Sequence, residues 1–150
     1  MVSEDVILRC LSVEDAVAVA ALTVQLGYDL EPEEAKTRIS EVLKAPGHHT
    51  FGAFAGDVLL GYLHCYRAVT IDKGVMLRVQ ALVVDEGARG SGAGRKLMTE
   101  AERMARELDC STVTLSSNER RTGAHAFYER IGYQRSSPSY SFTKPIQALI

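Results

Sequence analysis

The sequence lacks the features that mark several classes of protein. No apolar run approaches the roughly 20 residues that a helix needs to span a membrane. Residues 1–10 have neither the basic segment nor the apolar segment of a signal peptide. Internal repeats, low-complexity tracts and linkers are also missing. These absences predict a cytoplasmic protein without a membrane partner.

The chain also has no large excess of positive or negative charge, and it has few cysteines. The 17 Lys and Arg residues almost balance the 19 Asp and Glu residues, and the net charge is −2. No global positive field therefore draws the chain to nucleic acid. Cys10, Cys65 and Cys110 lie far apart without metal-ligand spacing, so we expect free core thiols. The histidines show no ligand spacing either, and we predict no bound metal.

The composition is that of an ordinary globular protein. Hydrophobic residues make up 46% of the 150 residues and charged residues 24%. This length is sufficient to bury a sizeable core. We expect one domain that covers residues 1–150.

Residues 75–97 are the most informative part of the chain. The segment Val75–Val84 is dense in Val and Leu, which suit a buried strand. A loop with Gly90, Gly92 and Gly94 follows and leads into a helical pattern. The start of a helix offers free main-chain N–H groups and the positive end of the helix dipole, so this loop favours an anion such as phosphate. The apolar positions of the helix are Leu97, Ala101, Met104, Ala105 and Leu108.

Basic residues around the loop support this prediction. A first helical turn usually prefers Asp or Glu, yet this one carries Arg95 and Lys96, and Arg89 precedes the glycines. These cations repel the positive helix end unless an anion binds there. The alternative is a glycine-rich turn with solvated basic side chains.

Two well-known phosphate loops do not match these residues. A Walker loop needs Ser or Thr after Gly-Lys, whereas Gly94 is followed by Arg95-Lys96-Leu97. The dinucleotide fingerprint G-x-G-x-x-G would need a glycine at position 95. A nucleotide-binding module is therefore disfavoured.

The N-terminal third predicts a strand and two helices. The strand is Val6–Cys10. Ser12 and Asp15 form a capping box for the first helix, and Gly27 ends it. Pro32 opens the second helix. The predicted apolar stripe of the first helix comprises Val13, Ala16, Val17, Ala20 and Val24.

The middle of the chain predicts three strands. Thr50–Ala55 and Val58–Tyr66 flank a Gly56-Asp57 turn, which indicates a hairpin. A loop at Ala68–Gly74 leads to the Val75–Val84 strand. Strict alternation along that strand predicts that one face carries Met76, Arg78, Gln80, Leu82 and Val84, and the other Val75, Leu77, Val79, Ala81 and Val83.

The C-terminal third predicts a strand, a helix and a last strand. These are Thr112–Leu115, Thr122–Ile131 and Ser139–Thr143. The resulting order is β-α-α-β-β-β-α-β-α-β. A strand–helix–strand crossover requires parallel pairing, whereas the hairpin is antiparallel. We therefore predict an α/β fold with a mixed sheet.

Two motifs resemble those of the GNAT superfamily of acyl-CoA-dependent N-acyltransferases. Residues 89–94, Arg-Gly-Ser-Gly-Ala-Gly, match the coenzyme A pyrophosphate loop Q/R-x-x-G-x-G/A. Asn118 and residues 124–133 match the later signature N…A-x-x-F-Y-x-x-x-G-F/Y. Residues 26–28, Leu-Gly-Tyr, are also similar to many small members, so the resemblance spans nearly the whole chain.

The resemblance implies a central mixed, splayed sheet flanked by about four helices, with acetyl-CoA as co-substrate. Main-chain groups of Leu82, Val83 and Val84 would pair with the pantetheine arm, Asn118 would bond to its side, and Phe127 would pack near it. A bulge in the central strand is implied but is not visible in the sequence. The loop residues implied to hold the pyrophosphate are Arg89, Gly90, Ser91, Gly92, Ala93, Gly94 and Arg95.

Tyr128 is the predicted general acid. The resemblance places it beside the thioester sulfur. A thiol has a pKa near ~8.5 and a tyrosine near ~10, so a Tyr hydroxyl is a reasonable proton donor to a departing thiolate. The alternative is a tyrosine that only packs on the apolar face of its helix. The resemblance also implies that the amide of Val84 stabilises the developing oxyanion.

The general base is less clear. Many relatives carry Glu at the position of Gln80, which cannot accept a proton. Gln80 would instead orient a water or the substrate. His64 and Glu86 are the other candidates for the base. The pKa of a histidine lies near neutral pH, which favours His64. His64 is also consistent with a structural role, and Glu86 with a solvated loop charge. A water chain to solvent is the remaining option.

The acceptor is predicted to be a small-molecule primary amine. Tyr28, Asp29 and Glu31 would shape or charge its site, or are ordinary loop residues. Arg78 and Gln80 share a strand face and would line the slot, with His64 nearby. A peptide or protein amine, and an acyl-CoA-binding sensor without catalysis, remain open. A homodimer is plausible.

Overall fold

A computed structural model describes residues 5–136 and 138–147. The described residues form five strands and four helices. Short 3-10 turns, Val13–Asp15 and Glu86–Ala88, precede the first and third helices. The strands are β1 (Val6–Arg9), β2 (His48–Ala55), β3 (Val58–Thr70), β4 (Gly74–Val84) and β5 (Thr112–Leu115). The helices are α1 (Ala16–Leu26), α2 (Pro32–Lys44), α3 (Ala93–Glu107) and α4 (Thr122–Arg130).

The five strands form one mixed sheet in the order β1-β2-β3-β4-β5. The first three pairings are antiparallel, and β4 pairs with β5 in parallel. This confirms the mixed α/β architecture. One compact unit ends at Ser116 and contains the whole sheet; a second begins at Ser117 and contains α4. In the described part of the chain, no helix is long and apolar enough to cross a membrane.

Local signals fix the ends of α1 and α2 as predicted. The Ser12 side chain accepts from the N–H of Glu14, and the N–H of Ser12 donates to Asp15 at 2.8 Å, which completes the capping box. Gly27 ends α1 with a φ of 109°, a left-handed conformation that glycine adopts without strain. Pro32 is the first residue of α2.

The helices α1 and α2 pack on one face of the sheet. Val17 and Val24 are 70% and 53% exposed, so the predicted stripe of α1 is wrong at both positions. The helix is apolar around most of its circumference, and hydrophobic spacing alone therefore does not identify its buried side. The buried cluster on this face comprises Leu11, Ala16, Val19, Ala20, Leu22, Ala35, Ile39, Phe54, Leu59, Tyr62 and Val83.

The amphipathic helix α3 supplies the core on the other face. Its buried residues are those of the predicted stripe with Ala93 and Met98 added, except that Leu108 lies just beyond the helix. They meet strand residues such as Leu63, Cys65 and Leu77, which are fully buried. Cys65 is thus a core thiol, as expected, and burial raises its pKa to about 12. Cys10 is exposed, and Cys110 is half-buried, so the expectation of core thiols is wrong for Cys10.

A bulge at Gln80 interrupts β4. His64 pairs with Ala81 and Cys65 with Val79, which leaves Gln80 without a partner on β3. The extra residue shifts the alternation by one position. The predicted faces are therefore wrong beyond the bulge: Ala81 and Val83 lie with Arg78 on the α1–α2 face, and Leu82 lies with Val79 on the α3 face.

Two further predicted boundaries are wrong. The segment from Ala68 to Thr70 continues β3, because it pairs with residues Gly74–Met76 of β4, so only a tight turn remains of the predicted loop. Residues 139–143 are not a strand. Tyr140 and Phe142 there are 90% and 95% exposed, and no strand of the described sheet pairs with this segment.

Candidate functional site

The C-terminal half of β4 has an open edge. The last pair between β4 and β5 is Val79 with Leu115, and β4 continues to Val84. On its other edge the N–H of Asp85 still bonds to the carbonyl of Leu60, at 2.7 Å. Because main-chain groups alternate along a strand, the N–H and C=O of Leu82 and Val84 point towards the open edge. An extended ligand can pair with these groups as a further strand would.

The glycine loop leads from this edge to the start of α3. Gly90 and Gly92 have φ values of 86° and 88°, and Gly92 is the N-cap of the helix. The N–H of Lys96 makes the first helical bond, to Gly92, at 3.0 Å. Within the described chain, no partner takes the N–H groups of Gly94 and Arg95. These free donors and the helix dipole form the predicted anion site.

Two of the three basic residues at the loop are available to an anion. Arg89 and Arg95 are exposed, and neither forms an ion pair with a described residue. Lys96 already has one partner, because its Nζ donates to the main-chain carbonyl of Val6 at 2.5 Å. Lys96 therefore joins α3 to β1; its ammonium keeps two further N–H donors, and its part in the anion site stays a prediction.

Gln25 is a residue of this region that the sequence did not indicate. Its Nε2 donates to Asp85 at 2.7 Å, and its Oε1 accepts from the N–H of Glu86 at 3.0 Å. The Asp85 carboxylate also accepts from the N–H of Gly87 at 3.0 Å. The end of α1 thus holds the segment that leaves β4. Contacts between residues this distant in sequence leave no local signal.

His64 is paired with another histidine. His48 Nδ1 lies 2.9 Å from His64 Nε2, and the His48 ring stacks on Tyr66 at a centroid distance of 4.9 Å. Burial, and next the charge of His48, lower the pKa of His64 to about 4. His64 is therefore neutral at pH 7 and a weak proton acceptor, which argues against it as general base.

The bulge places Gln80 at the opening between β4 and β5. Its side chain is exposed, as is that of Glu86. Two positions earlier, Arg78 is half-buried and donates from Nη2 to the Ser116 hydroxyl at 3.1 Å. Gln80 and Arg78 therefore both lie where the two strands separate.

The loop between α1 and α2 is exposed. Tyr28 is 64% exposed, and Asp29 is exposed as well. The side chain of Glu31 accepts main-chain N–H bonds in a capping box at the start of α2, so Glu31 has a structural role. The acceptor-binding role of Tyr28 and Asp29 stays a prediction.

Tyr128 and Phe127 lie on α4 in the second unit. Tyr128 meets Phe127 and Tyr133 edge to face, with centroid distances of 5.3 and 6.1 Å. Burial raises the pKa of Tyr128 above its ordinary value of 10.0, and the charge of Arg121 offsets part of this rise. The hydroxyl therefore keeps its proton at neutral pH, as a proton donor must.

Asn118 precedes α4 and organises its start. Its Oδ1 accepts from the N–H of Arg120 at 2.9 Å, and its carbonyl accepts from His125 Nε2 at 2.8 Å. The adjacent Ser117 hydroxyl is buried without a hydrogen-bond partner. Such a group usually bonds to water or a ligand.

No group of three His, Cys, Asp or Glu side chains in the described residues is arranged to hold a metal.

Comparisons with known proteins agree with this arrangement. The Acetyltransferase (GNAT) family model matches residues 17–133. The aminoalkylphosphonate N-acetyltransferase of Salmonella typhimurium is 30% identical over 141 residues, which cover 93% of this chain and 90% of that protein. An uncharacterized N-acetyltransferase of Bacillus subtilis, YhdJ, is 28% identical over 123 residues, 81% of this chain and 85% of that protein.

A solved structure shares the fold. The aminoglycoside N-acetyltransferase AAC(6')-Iy in complex with CoA has a TM-score of 0.83 and 14% sequence identity to this chain. The match covers 94% of this chain and 95% of that one.

Proposed function

This chain belongs to the GNAT acetyltransferase family, and we propose that it transfers the acetyl group of acetyl-CoA to a small primary amine. The reaction would occur by direct attack in a ternary complex. The observation that carries the proposal is the open edge of β4 followed at once by the free N–H groups at the start of α3. The strand β4, the glycine loop and the start of α3 thus offer strand-like pairing and then an anion site, as a pantetheine arm ending in a pyrophosphate requires.

The residues fit coenzyme A in chemical type. The free N–H groups of Gly94 and Arg95, with the side chains of Arg89 and Arg95, would hold the pyrophosphate. Within the predicted loop of residues 90–95, the N–H groups of Ser91 and Ala93 already donate to the Ala88 carbonyl and the Ser91 hydroxyl. Leu82 and Val84 would pair with the pantetheine amides, while Val83 points its main chain towards β3. Asn118 has an amide NH₂ available for the pantetheine, and Phe127 offers an apolar surface. Acetyl-CoA, when bound, supplies the thioester that the amine attacks.

Two groups would then promote the transfer. We assign the Tyr128 hydroxyl to protonate the departing thiolate. Burial raises the pKa of a thiol as it raises the pKa of Tyr128. The difference between the two pKa values therefore changes little, and the hydroxyl can still protonate the thiolate. The N–H of Val84, at the open edge, would stabilise the oxyanion.

The amine must lose a proton before it attacks. An alkylamine has a pKa near ~10.4, and Gln80 cannot accept its proton. Because Gln80 is exposed at the mouth of the splay, we assign it to orient the amine or a water that relays the proton to solvent. The rate should therefore rise with pH towards the pKa of the acceptor.

Thermal melting in parallel with acetyl-CoA, CoA, NADH and ATP tests the cofactor. A ligand at about one hundred times its dissociation constant adds ~2.7 kcal/mol, which raises the midpoint by several degrees. We expect shifts with the two CoA species alone. A shift with ATP or NADH instead, or none, would reject the cofactor assignment.

An amine screen then separates the remaining alternatives. Thiol release is measured with small amines and with a peptide that has a free N-terminus. Turnover of small amines alone supports the proposal, and turnover of the peptide alone would favour a peptide acetyltransferase. CoA binding without any turnover would favour a sensor. Cytoplasmic location, a homodimer and the treatment of residues 1–150 as one domain stay predictions.

A further inference from the structure

The structure assigns Arg78 as the group that binds an anionic substituent of the acceptor. Ser116, its hydrogen-bond partner, follows Leu115, the last residue of β5 that pairs with β4. The guanidinium is therefore held at the point where the strands separate, beside the bulge at Gln80. This inference rests on the proposed function, because it takes the splay as the place where the acceptor meets the thioester.

Arg78 has unused binding capacity. A guanidinium carries five N–H donors, and one bond to a neutral hydroxyl leaves its charge unbalanced. Within the described residues no carboxylate forms an ion pair with it, although Arg78 is half-buried. A half-buried cation without a counter-ion is costly unless an anion reaches it.

The cross-strand neighbours of Arg78 among the described residues are polar, and none of them is acidic. The pairing register places Tyr66 and Thr114 directly beside Arg78 on the same face of the sheet, and His48 beside Tyr66. His64 follows one row further, neutral and bonded to His48. Hydroxyl and imidazole groups can donate to the remaining oxygens of an anion, so the face suits a phosphonate or a carboxylate.

The phosphates of the cofactor are too far away to be this anion. Arg78 and Val84 are six residues apart on one strand, which corresponds to roughly 15–20 Å when the bulge is considered. The glycine loop lies beyond Val84. The chain therefore offers two separate anion positions, and the one at Arg78 lies on the acceptor side.

These observations define the class of acceptor. It is a compact aminoalkyl acid, whose amine points towards the open edge of β4 and whose oxyanion binds Arg78. The name of the Salmonella relative, which shares 30% identity, is consistent with such an acceptor. A polycationic acceptor such as an aminoglycoside would place charge of the wrong sign at Arg78.

Acetylation of matched amines tests the inference. The probes are 2-aminoethylphosphonate, β-alanine, and ethanolamine, which lacks the anion. We expect kcat/KM for at least one anionic probe to exceed that for ethanolamine by tenfold or more. Arg78→Gln should lower kcat/KM for the anionic probes by about 10- to 100-fold, as loss of a charge-assisted hydrogen bond does. The same variant should change kcat/KM for ethanolamine by less than threefold. The two acids distinguish a phosphonate site from a carboxylate site.

Two other variants control for folding and for charge in general. Arg78→Lys keeps the charge without the fork and should give intermediate values. Arg67→Gln removes a neighbouring arginine of β3 that lies on the opposite face and donates to the carbonyl of Leu108. It should leave all three kcat/KM values within twofold.

Calorimetric titration of the acids into the CoA-loaded protein gives a readout without turnover. Equal turnover of ethanolamine and the acids, or an equal loss in Arg78→Gln for all probes, would overturn the inference and leave the proposed function standing. Binding of an acid that depends on Arg78, without turnover of any amine, would reject the proposed function and support the anion site. Absence of both binding and turnover would reject both.

Discussion

At the scale of single residues, Tyr128 is the side chain whose replacement is most informative. Its side chain is half-buried, and its hydroxyl is protonated at neutral pH. Tyr128→Phe keeps the ring and its contacts with Phe127 and Tyr133, and removes only the proton donor. We expect kcat to fall about 100-fold or more, the usual contribution of a general acid, while the Kd of acetyl-CoA stays within twofold. Steady-state rates and calorimetry measure the two effects.

The matched control removes a tyrosine hydroxyl from the surface. Tyr140 is 90% exposed, and Tyr140→Phe should leave kcat and the Kd unchanged. An unaltered kcat in Tyr128→Phe, with a substrate that the wild type turns over, would show that Tyr128 only packs.

At the scale of elements, the loop before α3 depends on glycine. Gly92→Val adds a branched side chain at a φ of 88°, at the N-cap that the pyrophosphate would approach in the proposed complex. We expect CoA binding to fall below detection by calorimetry. Gly74→Val provides the control, because Gly74 has a φ of 77° in the β3–β4 turn, away from the loop. It shares the backbone strain and should bind CoA like the wild type; equal loss in both variants would mean that strain alone abolishes binding.

The elements that the sequence predicts well are those with local causes. The capping box at Ser12, the proline at position 32 and the glycine at position 27 each act within a few residues, and all three were confirmed. The bulge in the central strand that the resemblance implies is present, but its position at Gln80 was not visible in the sequence, because it depends on how β3 and β4 align. The Lys96 bond to Val6 joins residues 90 positions apart and was missed for the same reason.

The candidate site likewise contains residues that a local sequence signal predicts and residues that depend on distant partners. Glycines and basic residues predicted the anion loop, since a helix start has the same free donors in any fold. The roles of Gln25 and Arg78 depend on partners at Asp85 and Ser116, more than 35 residues away. Arg78 was predicted to line the slot, but its bond to Ser116 and the whole role of Gln25 therefore became visible only in the structure.

At the scale of the whole molecule, stability should depend on the charge of His64. Burial lowers the pKa of folded His64 to about 4 from 6.5. Between these values the unfolded chain binds a proton that the folded chain does not, so the free energy of unfolding falls as the pH falls. We expect the melting midpoint to decrease by several degrees from pH 7 to pH 4, and less steeply in His64→Gln.

Two other titratable groups show whether His64 itself causes the loss of stability at low pH. Asp15, whose pKa Arg9 holds below 3.8, changes stability only at lower pH. His49→Gln is the control, because His49 pairs with Cys65 on the other face of the sheet and takes no part in the bond between His48 and His64. It should keep the wild-type slope. The same slope in His64→Gln would show that the pair does not govern acid sensitivity.

The single extra residue at Gln80 exchanges the two faces of β4: side chains after the bulge point to the opposite side from the one that strict alternation would give them. Before the bulge, one side of the strand presents Arg78. After it, the same side presents Val83, which belongs to the apolar cluster under α1 and α2, and Ala81, which packs against that cluster. A strand without the bulge would have to place Leu82 and Val84 against those helices instead. The length of β4 between Arg78 and Ala81 is therefore fixed, and an insertion or deletion there would exchange the interior and the binding surface along half of the strand.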